Sequence, residues 1–466
     1  MTSPLNLVEE PSRAAMPYGV EVVSVGKASV FAVGTNVLQI LGGFATAALL
    51  ARFLGPLQKG IYDMYLATSM LLAVLLSLAL NAGVTYTVAS QPVNSFKLLR
   101  ALAFIGAGES AAVFVVMYSA GFIGCRSLLV PFELGSSGVP AIALMVFLVS
   151  VSTFYRAVLV GYRQFIKANY GDVSKQVLGV SFLLALYPIK HLTHINPLHW
   201  TILASMVVMA VTIVNYGSRV PQDNSGASDT GLGCAFRFAM PAYLANASQY
   251  LNNRIDLFFV YRYHGAAHVG IYQTAGLIGQ AISLLPSAVQ GILVPTIASG
   301  RLSRKETVAT VARAHRLLFS VGALIAISAA AAGPIVVPLV FGKAFAATAV
   351  SLALLVPGCA ISITTTVLAA YFAGTGRPHI NMAISIAVTV ITIALDALVV
   401  PVWSFYGASV ISSFSYIFAA ACSVFVFKKE TGMPLSHLYI LTEGDLKMGL
   451  EYFQSAVAKT RQQGRA

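Results

Sequence analysis

Between Tyr243 and Asp256 the chain reads YLANASQYLNNRID, a run in which amides, phenols, a guanidinium and a carboxylate recur over about four helical turns. Projected at about 100° per residue, Asn252, Asp256, Gln249, Asn253, Asn246, Tyr250, Tyr243 and Arg254 fall in that order on one arc of about 200°. Leu244, Leu251, Ile255 and Phe258 take the opposite arc. The guanidinium of Arg254 keeps its proton under all ordinary conditions, and its planar fork suits a phosphate-bearing substrate. The alternatives are an ion pair from Arg254 to Asp256, and amides that tie helices together. A milder version of the stripe runs through Asn36, Gln39, Gly43 and Thr46. Two further carboxylates, Glu109 and Asp396, lie within apolar runs, where each either binds a coupling cation or proton or satisfies a neighbouring helix.

The elements that must position these groups are membrane helices. Of 466 residues, 57% are hydrophobic and 10% charged, with mean hydropathy +0.79, far from the roughly 25% charge of soluble domains. A water-soluble enzyme is excluded. Apolar runs near 28–53, 62–90, 98–122, 138–161, 171–189, 199–216, 237–262, 267–297, 311–341, 345–373, 380–402 and 406–427 read as about twelve spans. The expected fold is an all-α polytopic membrane protein. A charge facing lipid costs about 2.5–3.5 kcal/mol on insertion scales, so the stripe of the seventh span must line a watery cavity or the bundle interior.

An internal repeat places that stripe between two halves. At an offset of 210, Asn36 aligns with Asn246, Gln39 with Gln249, Arg52 with Arg262, Gly55 with Gly265, and Gly60-Ile61-Tyr62 with Gly270-Ile271-Tyr272. A looser echo sets Gly161-x-Arg163-x-x-Ile166 beside Gly374-x-x-Arg377-x-x-Ile380. Six spans separate the equivalents, so both copies point the same way and the lobes are related by an axis along the membrane normal. The expected organisation is a cytoplasmic segment 1–27, an N-lobe of helices 1–6 over 28–216, a polar Gly/Ser-rich linker 217–236, a C-lobe of helices 7–12 over 237–427 and an amphipathic tail 428–466 on the membrane surface. With the N-terminus inside, 22 of the 29 Lys and Arg fall on the cytoplasmic side, among them Arg156, Lys175 and Arg377, with Arg156 snorkelling to that face. Both termini are then cytoplasmic. The net charge of +13 follows from this topology and attraction to anionic lipid, without a nucleic-acid partner.

Other signals carry little. The acidic N-terminal stretch (Glu9, Glu10) does not read as a cleavable signal peptide. Cys125, Cys234, Cys359 and Cys422 are scattered and read as apolar filler, and His191, His194 and His199 lack an acidic co-ligand, so no metal or other cofactor is expected. The Asn246-Ala-Ser248 sequon lies inside a span, out of reach of glycosylation. No G-x4-G-K-[ST] loop is present, which leaves an ion gradient, membrane potential or substrate gradient to drive any transport.

The stretch Ala51-Arg-Phe-Leu-Gly-Pro-Leu-Gln-Lys-Gly-Ile-Tyr62 resembles the LGP-x3-G-x-Y turn of the bacterial O-antigen and exopolysaccharide flippases, within the multidrug/oligosaccharidyl-lipid/polysaccharide exporter superfamily. Asn253-Arg254-Ile255-Asp256, Val269-Gly270-Ile271-Tyr272, Leu285-Pro286, Pro295, Phe341-Gly342-Lys343-x-Phe345 and Gly376-Arg377-Pro378 are similar to its later motifs, and the likeness covers about residues 28–428. This resemblance implies a V-shaped, two-lobed bundle in the bacterial inner membrane. It would move an undecaprenyl-pyrophosphate-linked oligosaccharide by alternating access, for surface polysaccharide made with a polymerase and export machinery. On that reading Arg254, Asn253, Gln249, Asn246, Asn36, Gln39 and Tyr250 bind substrate, and Asp256, Glu109 and Asp396 are ion-coupling candidates, with no catalytic group. The rivals are a cation-coupled multidrug exporter of the same fold, whose cationic substrates suit an interior Arg poorly, and an integral-membrane polymerase or ligase, which needs a larger outer loop than any here.

Overall fold

The computed structural model describes residues 25–122, 131–189, 196–221, 230–282, 284–300 and 302–442. Helices dominate because the chain is apolar and, in lipid, a helix satisfies its own backbone groups. They are α1 (Val25–Leu76), α2 (Leu80–Ser90), α3 (Ser95–Phe122), α4 (Gly138–Gly161), α5 (Phe165–Ile189), α6 (Pro197–Gly217), α7 (Leu232–Asn252), α8 (Ile255–His264), α9 (Ala266–Ile282), α10 (Leu284–Ala298), α11 (Arg304–Phe341), α12 (Thr348–Gly374), α13 (Pro378–Thr431) and the short α14 (Ser436–Tyr439). Among the described residues there is no strand, and seven helices are long and apolar enough to cross a membrane. The protein is a multi-pass membrane protein.

Two elements are longer than one crossing needs. The 54 residues of α13 would reach about 80 Å if straight, against a hydrocarbon core of about 30 Å. Ser404 (φ 54°, ψ −146°) interrupts it, and Gly55 (φ 72°, ψ 175°) interrupts the 52-residue α1 just before Pro56. Gly265, the repeat partner of Gly55, has φ 80° and ψ 176° between α8 and α9. Two sites 210 residues apart thus make one turn, in a conformation that costs glycine little and other residues more.

In the first half α4 is central, with α1, α2, α3 and α6 packed on it; in the second, α12 is central, with α9, α10, α11 and α13 around it. Two-thirds of the α4 window is buried, whereas α3, α11 and α13 keep most of theirs exposed and present Phe104, Leu324, Leu398 and Trp403 outward. These face lipid.

The halves meet most extensively at two places. At one end α1 lies against α9: a Cβ on Gly60 would stand 1.7 Å from the Ala266 carbonyl oxygen, and one on Gly270 would stand 2.3 Å from that of Pro56. Pro56 and Ala266 are themselves repeat partners, so the contact is reciprocal, as a two-fold axis requires. At the other end α2 lies against α7, with Gly83 on Ala235 and the rings of Tyr86 and Phe238 stacked at 4.1 Å.

Several expectations change. The span read over 62–90 is divided between α1 and α2 by Leu78 (φ 47°) and Ala79 (φ 56°). The span read over 237–262 breaks at Asn253-Arg254; that over 267–297 is covered by α9 and α10, with residue 283 outside the described ones. The linker expected through residue 236 ends sooner, because α7 starts at Leu232; residues 222–229 lie outside the described ones. The looser echo shifts by one position. Gln164 N–H bonds the Leu159 carbonyl and Arg377 N–H bonds that of Phe372, so Arg377 matches Gln164, and Arg163 (φ 58°) matches Gly376 (φ 78°). Of the tail, α14 docks on α11 with Leu438 fully buried rather than lying on a surface, because the carbonyl of Leu438 is 2.6 Å from His315 Nδ1; residues 443–466 lie outside the described ones.

Candidate functional site

The two helix breaks face each other across a cavity of about 360 Å³. Ala73, Val74, Ser77, Ala79 and Asn81 bring the α1–α2 break to its wall, Val149, Ser150, Thr153 and Phe154 bring α4, and Gln249, Tyr250 and Asn253 bring the end of α7. It lies between those two contacts of the halves, since its lining residues on α1 and α2 fall in sequence between Gly60 and Gly83 and those on α7 fall beyond Ala235. A broken helix frees backbone groups, and leaving them unpaired away from water costs several kcal/mol each. Two tyrosines of α7 act on α1 here. Tyr243 donates to the carbonyl of Leu75 at 3.0 Å and Tyr250 to that of Ala67 at 3.3 Å.

The α1–α2 break carries no Gly or Pro. Leu78 and Ala79 take left-handed angles that cost an ordinary residue about 1–2 kcal/mol each. Strain of this kind persists where surrounding structure holds it and clusters at functional positions.

The residues singled out from the sequence divide into groups. Gln249, Tyr250 and Asn253 share the cavity wall, with Gln249 Nε2 3.5 Å from Asn253 Oδ1. Asn252 turns the other way: its Oδ1 accepts from Thr392 Oγ1 at 3.3 Å, inside the second half. The single polar arc expected from 100° spacing is therefore split. Gln39 is half-buried on α1 and lines neither this cavity nor its neighbour; Asn36 and Asn246 lie in α1 and α7, with their side chains outside the described ones.

Arg254 sits at the α7–α8 break, half-buried, and is not among the cavity-lining residues. Its charge acts on Asp63, Tyr250, Asp256 and Tyr416. Asp63 is paired instead with buried Lys59 at 2.6 Å. The ion pair to Asp256 is not formed, because that carboxylate takes hydrogen bonds from the Tyr272 hydroxyl, from Ser412 Oγ at 3.2 Å and from the Leu257 N–H at 2.8 Å.

Asp396 is fully buried on α13 with both oxygens unpartnered, and it feels the charge of Asp256. Two of the three coupling candidates are thus brought together. Glu109 is not with them: it lies on α3 in the first half, buried, its oxygens unpartnered, beside Ser150, whose own unpartnered hydroxyl is on the cavity wall.

Sequence reasoning missed a second cavity of about 270 Å³, which shares Asn81, Val149 and Thr153 with the first. Arg156, Asp172, Lys175 and Tyr216 line it. Arg156 Nε donates to Asp172 Oδ2 at 2.9 Å, and Tyr216 donates to Asp172 Oδ1 at 2.5 Å. The available signal was the start of α5. Taken at 171 it leaves Lys175 near a membrane face, whereas the helix begins at Phe165 and carries Asp172 and Lys175 about 10 and 15 Å inward from its start.

The family model described as polysaccharide biosynthesis protein matches residues 25–301, more than half of the chain. No curated protein sequence matches it. Among solved structures, the inward-facing conformation of a multidrug resistance MATE family transporter of the MOP superfamily superposes with TM-score 0.66 at 14% identity, covering 86% of this chain and 98% of that one. Lipid II flippase MurJ in an inward closed conformation gives TM-score 0.64 at 12% identity, over 92% of each chain. An outward-facing MATE family transporter gives TM-score 0.57 at 13% identity, over 86% of this chain and 96% of that one. At such identities the likeness establishes the fold.

Proposed function

This chain belongs to the polysaccharide biosynthesis protein family, and from that premise we propose that it is a flippase for a polyprenyl-pyrophosphate-linked oligosaccharide. The observation that carries the reading is the cavity between the halves, lined from one side by Ser77, Asn81 and Thr153 and from the other by Gln249, Tyr250 and Asn253. Its polar groups suit hydroxyl-rich sugars, while the apolar outer helices leave the polyprenyl tail to lipid. On this reading the protein lies in the bacterial inner membrane with both termini cytoplasmic, and serves a polymerase and export machinery.

Alternating access follows from the two contacts between halves. Release of Gly60 from Ala266, with Gly83 held against Ala235, opens the cavity at one end, and the reverse opens it at the other. Asn253, Gln249 and Tyr250 act as substrate contacts, and Arg254 adds positive potential behind them. Asn36, Gln39 and Asn246 belong to the same proposed set as the second repeat's counterparts or neighbours. Asp256 and Asp396 are the proposed coupling site, where one proton or cation relieves the repulsion between two buried carboxylates that feel one another's charge. Glu109 is the corresponding candidate in the first half.

Reconstitution tests this. Liposomes holding the purified protein and a fluorescent lipid-linked oligosaccharide in the inner leaflet should expose it to an added glycosidase within minutes, and the Asn253→Leu protein should do so at about a tenth of the rate, the loss of about 1.4 kcal/mol. Exposure no faster than in protein-free liposomes overturns the reading. A second reading, cation-coupled multidrug export, is favoured by the buried Asp256–Asp396 pair. It prevails if drug efflux, rather than oligosaccharide exposure, responds to Asp396→Asn.

A further inference from the structure

Three charges gather near the contact of Gly60 with Ala266. Lys59 and Asp63 are paired at 2.6 Å one turn apart on α1, with only 3% and 12% of their side chains exposed. The pair does little for the helix itself, because a base placed ahead of its acid at this spacing is the weaker order. Asp63 is also only half used. Its Oδ2 accepts from Lys59, and among the described residues its Oδ1 takes no hydrogen bond.

Arg254 is the third charge, and the register of α7 on α1 brings it to Asp63. Tyr243 bonds the carbonyl of Leu75 and Tyr250 that of Ala67, so seven residues forward along α7 answer to eight back along α1, and the two run antiparallel. Four residues beyond Tyr250 is Arg254, and four back from Ala67 is Asp63. The carboxylate of Asp63 accordingly feels the charge of Arg254. Among the described residues no carboxylate stands within ion-pair distance of that guanidinium. Of the two it acts on, Asp256 already takes three hydrogen bonds, which leaves Asp63 as the carboxylate with an oxygen to spare. A charge inside a membrane bundle is costly and by default serves a function. At the repeat offset of 210, Lys59, Asp63 and Arg254 correspond to Val269, Gln273 and Phe44, so the trio occurs once, whereas the close glycine contact beside it occurs in both copies. A need of the fold would be met twice.

We infer that Asp63 is a switchable counter-ion between the halves, held by Lys59 of its own half when the Gly60 end opens and engaged by Arg254 of the other half when the Gly83 end opens. Asp63 stands three positions from Gly60 and twenty from Gly83. Opening at the Gly83 end therefore pivots close to Asp63 and keeps Arg254 within reach, whereas opening at the Gly60 end swings Arg254 away. Lys59 then retains the carboxylate, so neither movement strands a buried anion, the costly outcome for a broken buried pair. With both contacts made, as in this structure, Asp63 is on Lys59 and Arg254 awaits it. The exchange makes Asp63 a positioning residue that locks the Gly60 end. It rests on the alternating-access part of the proposed function and not on what is carried.

Spin labels at exposed Leu57 and Tyr263, on the whole chain in nanodiscs, test it by the ratio of molecules separated to molecules closed at the Gly60 end. Asp63→Asn and Arg254→Gln should each raise that ratio about tenfold, the worth of one charge-assisted hydrogen bond, and the double variant should raise it no further than either alone. Lys59→Met should lower it, because Asp63 is then left to Arg254. A merely structural Lys59–Asp63 pair gives the same direction for Lys59→Met and Asp63→Asn, since either change breaks it. Arg254→Lys, which keeps the charge, should stay within about threefold of the unaltered protein. Should Lys59→Met fail to fold, the non-additivity of Asp63→Asn and Arg254→Gln decides. Equal directions for Lys59→Met and Asp63→Asn, additive effects of Asp63→Asn and Arg254→Gln, or ratios unmoved by any of them overturn the inference, even if liposome exposure of the oligosaccharide is intact. Ratios that move as expected without any such exposure sink the flippase reading and leave the lock standing.

Discussion

Asn252 and Asn253 are chain neighbours at the end of α7 with opposite tasks. Asn252 accepts from Thr392, which in turn meets Ser415 Oγ at 2.6 Å, whereas Asn253 stands exposed on the cavity wall. Asn252→Ala should therefore lower stability by about 1 kcal/mol, the value of one net hydrogen bond, and leave the cavity chemistry unaltered. Asn253→Ala should change stability by less than about 0.5 kcal/mol, as for a surface site, and slow translocation instead. Thermal unfolding in detergent beside the liposome assay separates the two; a stability loss confined to Asn253→Ala contradicts the assignment. The helical projection puts both asparagines on one face because it assumes an unbroken helix. The break at Asn253-Arg254 turns the following residues away, which is why Arg254 is absent from the wall that Asn253 lines.

Helix breaks do the positioning at the scale of the element, and only some of them are written in residue types. The Gly55 and Gly265 turns show in the sequence as glycines repeated at one offset, because a left-handed backbone selects glycine. The Leu78–Ala79 break leaves no such mark. Two ordinary apolar residues take left-handed angles there, beside a cavity that Ala79 lines together with Thr153 of α4 and Tyr250 of α7. Ala79→Gly should consequently keep the break and raise stability by about 1 kcal/mol, as relief of left-handed strain predicts. A denaturant midpoint at or below that of the unaltered protein contradicts a strained break.

The relation of the two halves belongs to the whole molecule. The reciprocal contact of Pro56–Gly60 with Ala266–Gly270 leaves no space for a side chain, and Arg52 reinforces that end by donating to the carbonyls of Leu339 and, at 2.8 Å, Val340. Across the same end Tyr261 donates to Glu133 at 2.7 Å. Gly60→Ala sets a methyl against the Ala266 carbonyl, a clash with backbone that rotamer change cannot relieve. The expected result is a population shifted toward separation at that end. Spin labels at exposed Leu57 and Tyr263 should report it as a longer mean distance, with the Arg52→Ala protein moving the same way by less. Unchanged distances in Gly60→Ala contradict a contact that gates access.

Composition and repeat alone determined that this protein is an all-helical membrane bundle of two similarly oriented halves, because hydropathy and glycine at left-handed turns are local demands that each residue meets by itself. The Gln249–Tyr250–Asn253 face was legible for the same reason: polar groups at helical spacing in an apolar chain have few places to go. The pairing of Asp256 with Tyr272 and Ser412, the isolation of Glu109 from Asp396, and the meeting of Arg156, Asp172, Lys175 and Tyr216 from three helices were decided only by the tertiary structure. A charge within an apolar run has many candidate partners at similar electrostatic cost, and only the packing of separate helices selects among them.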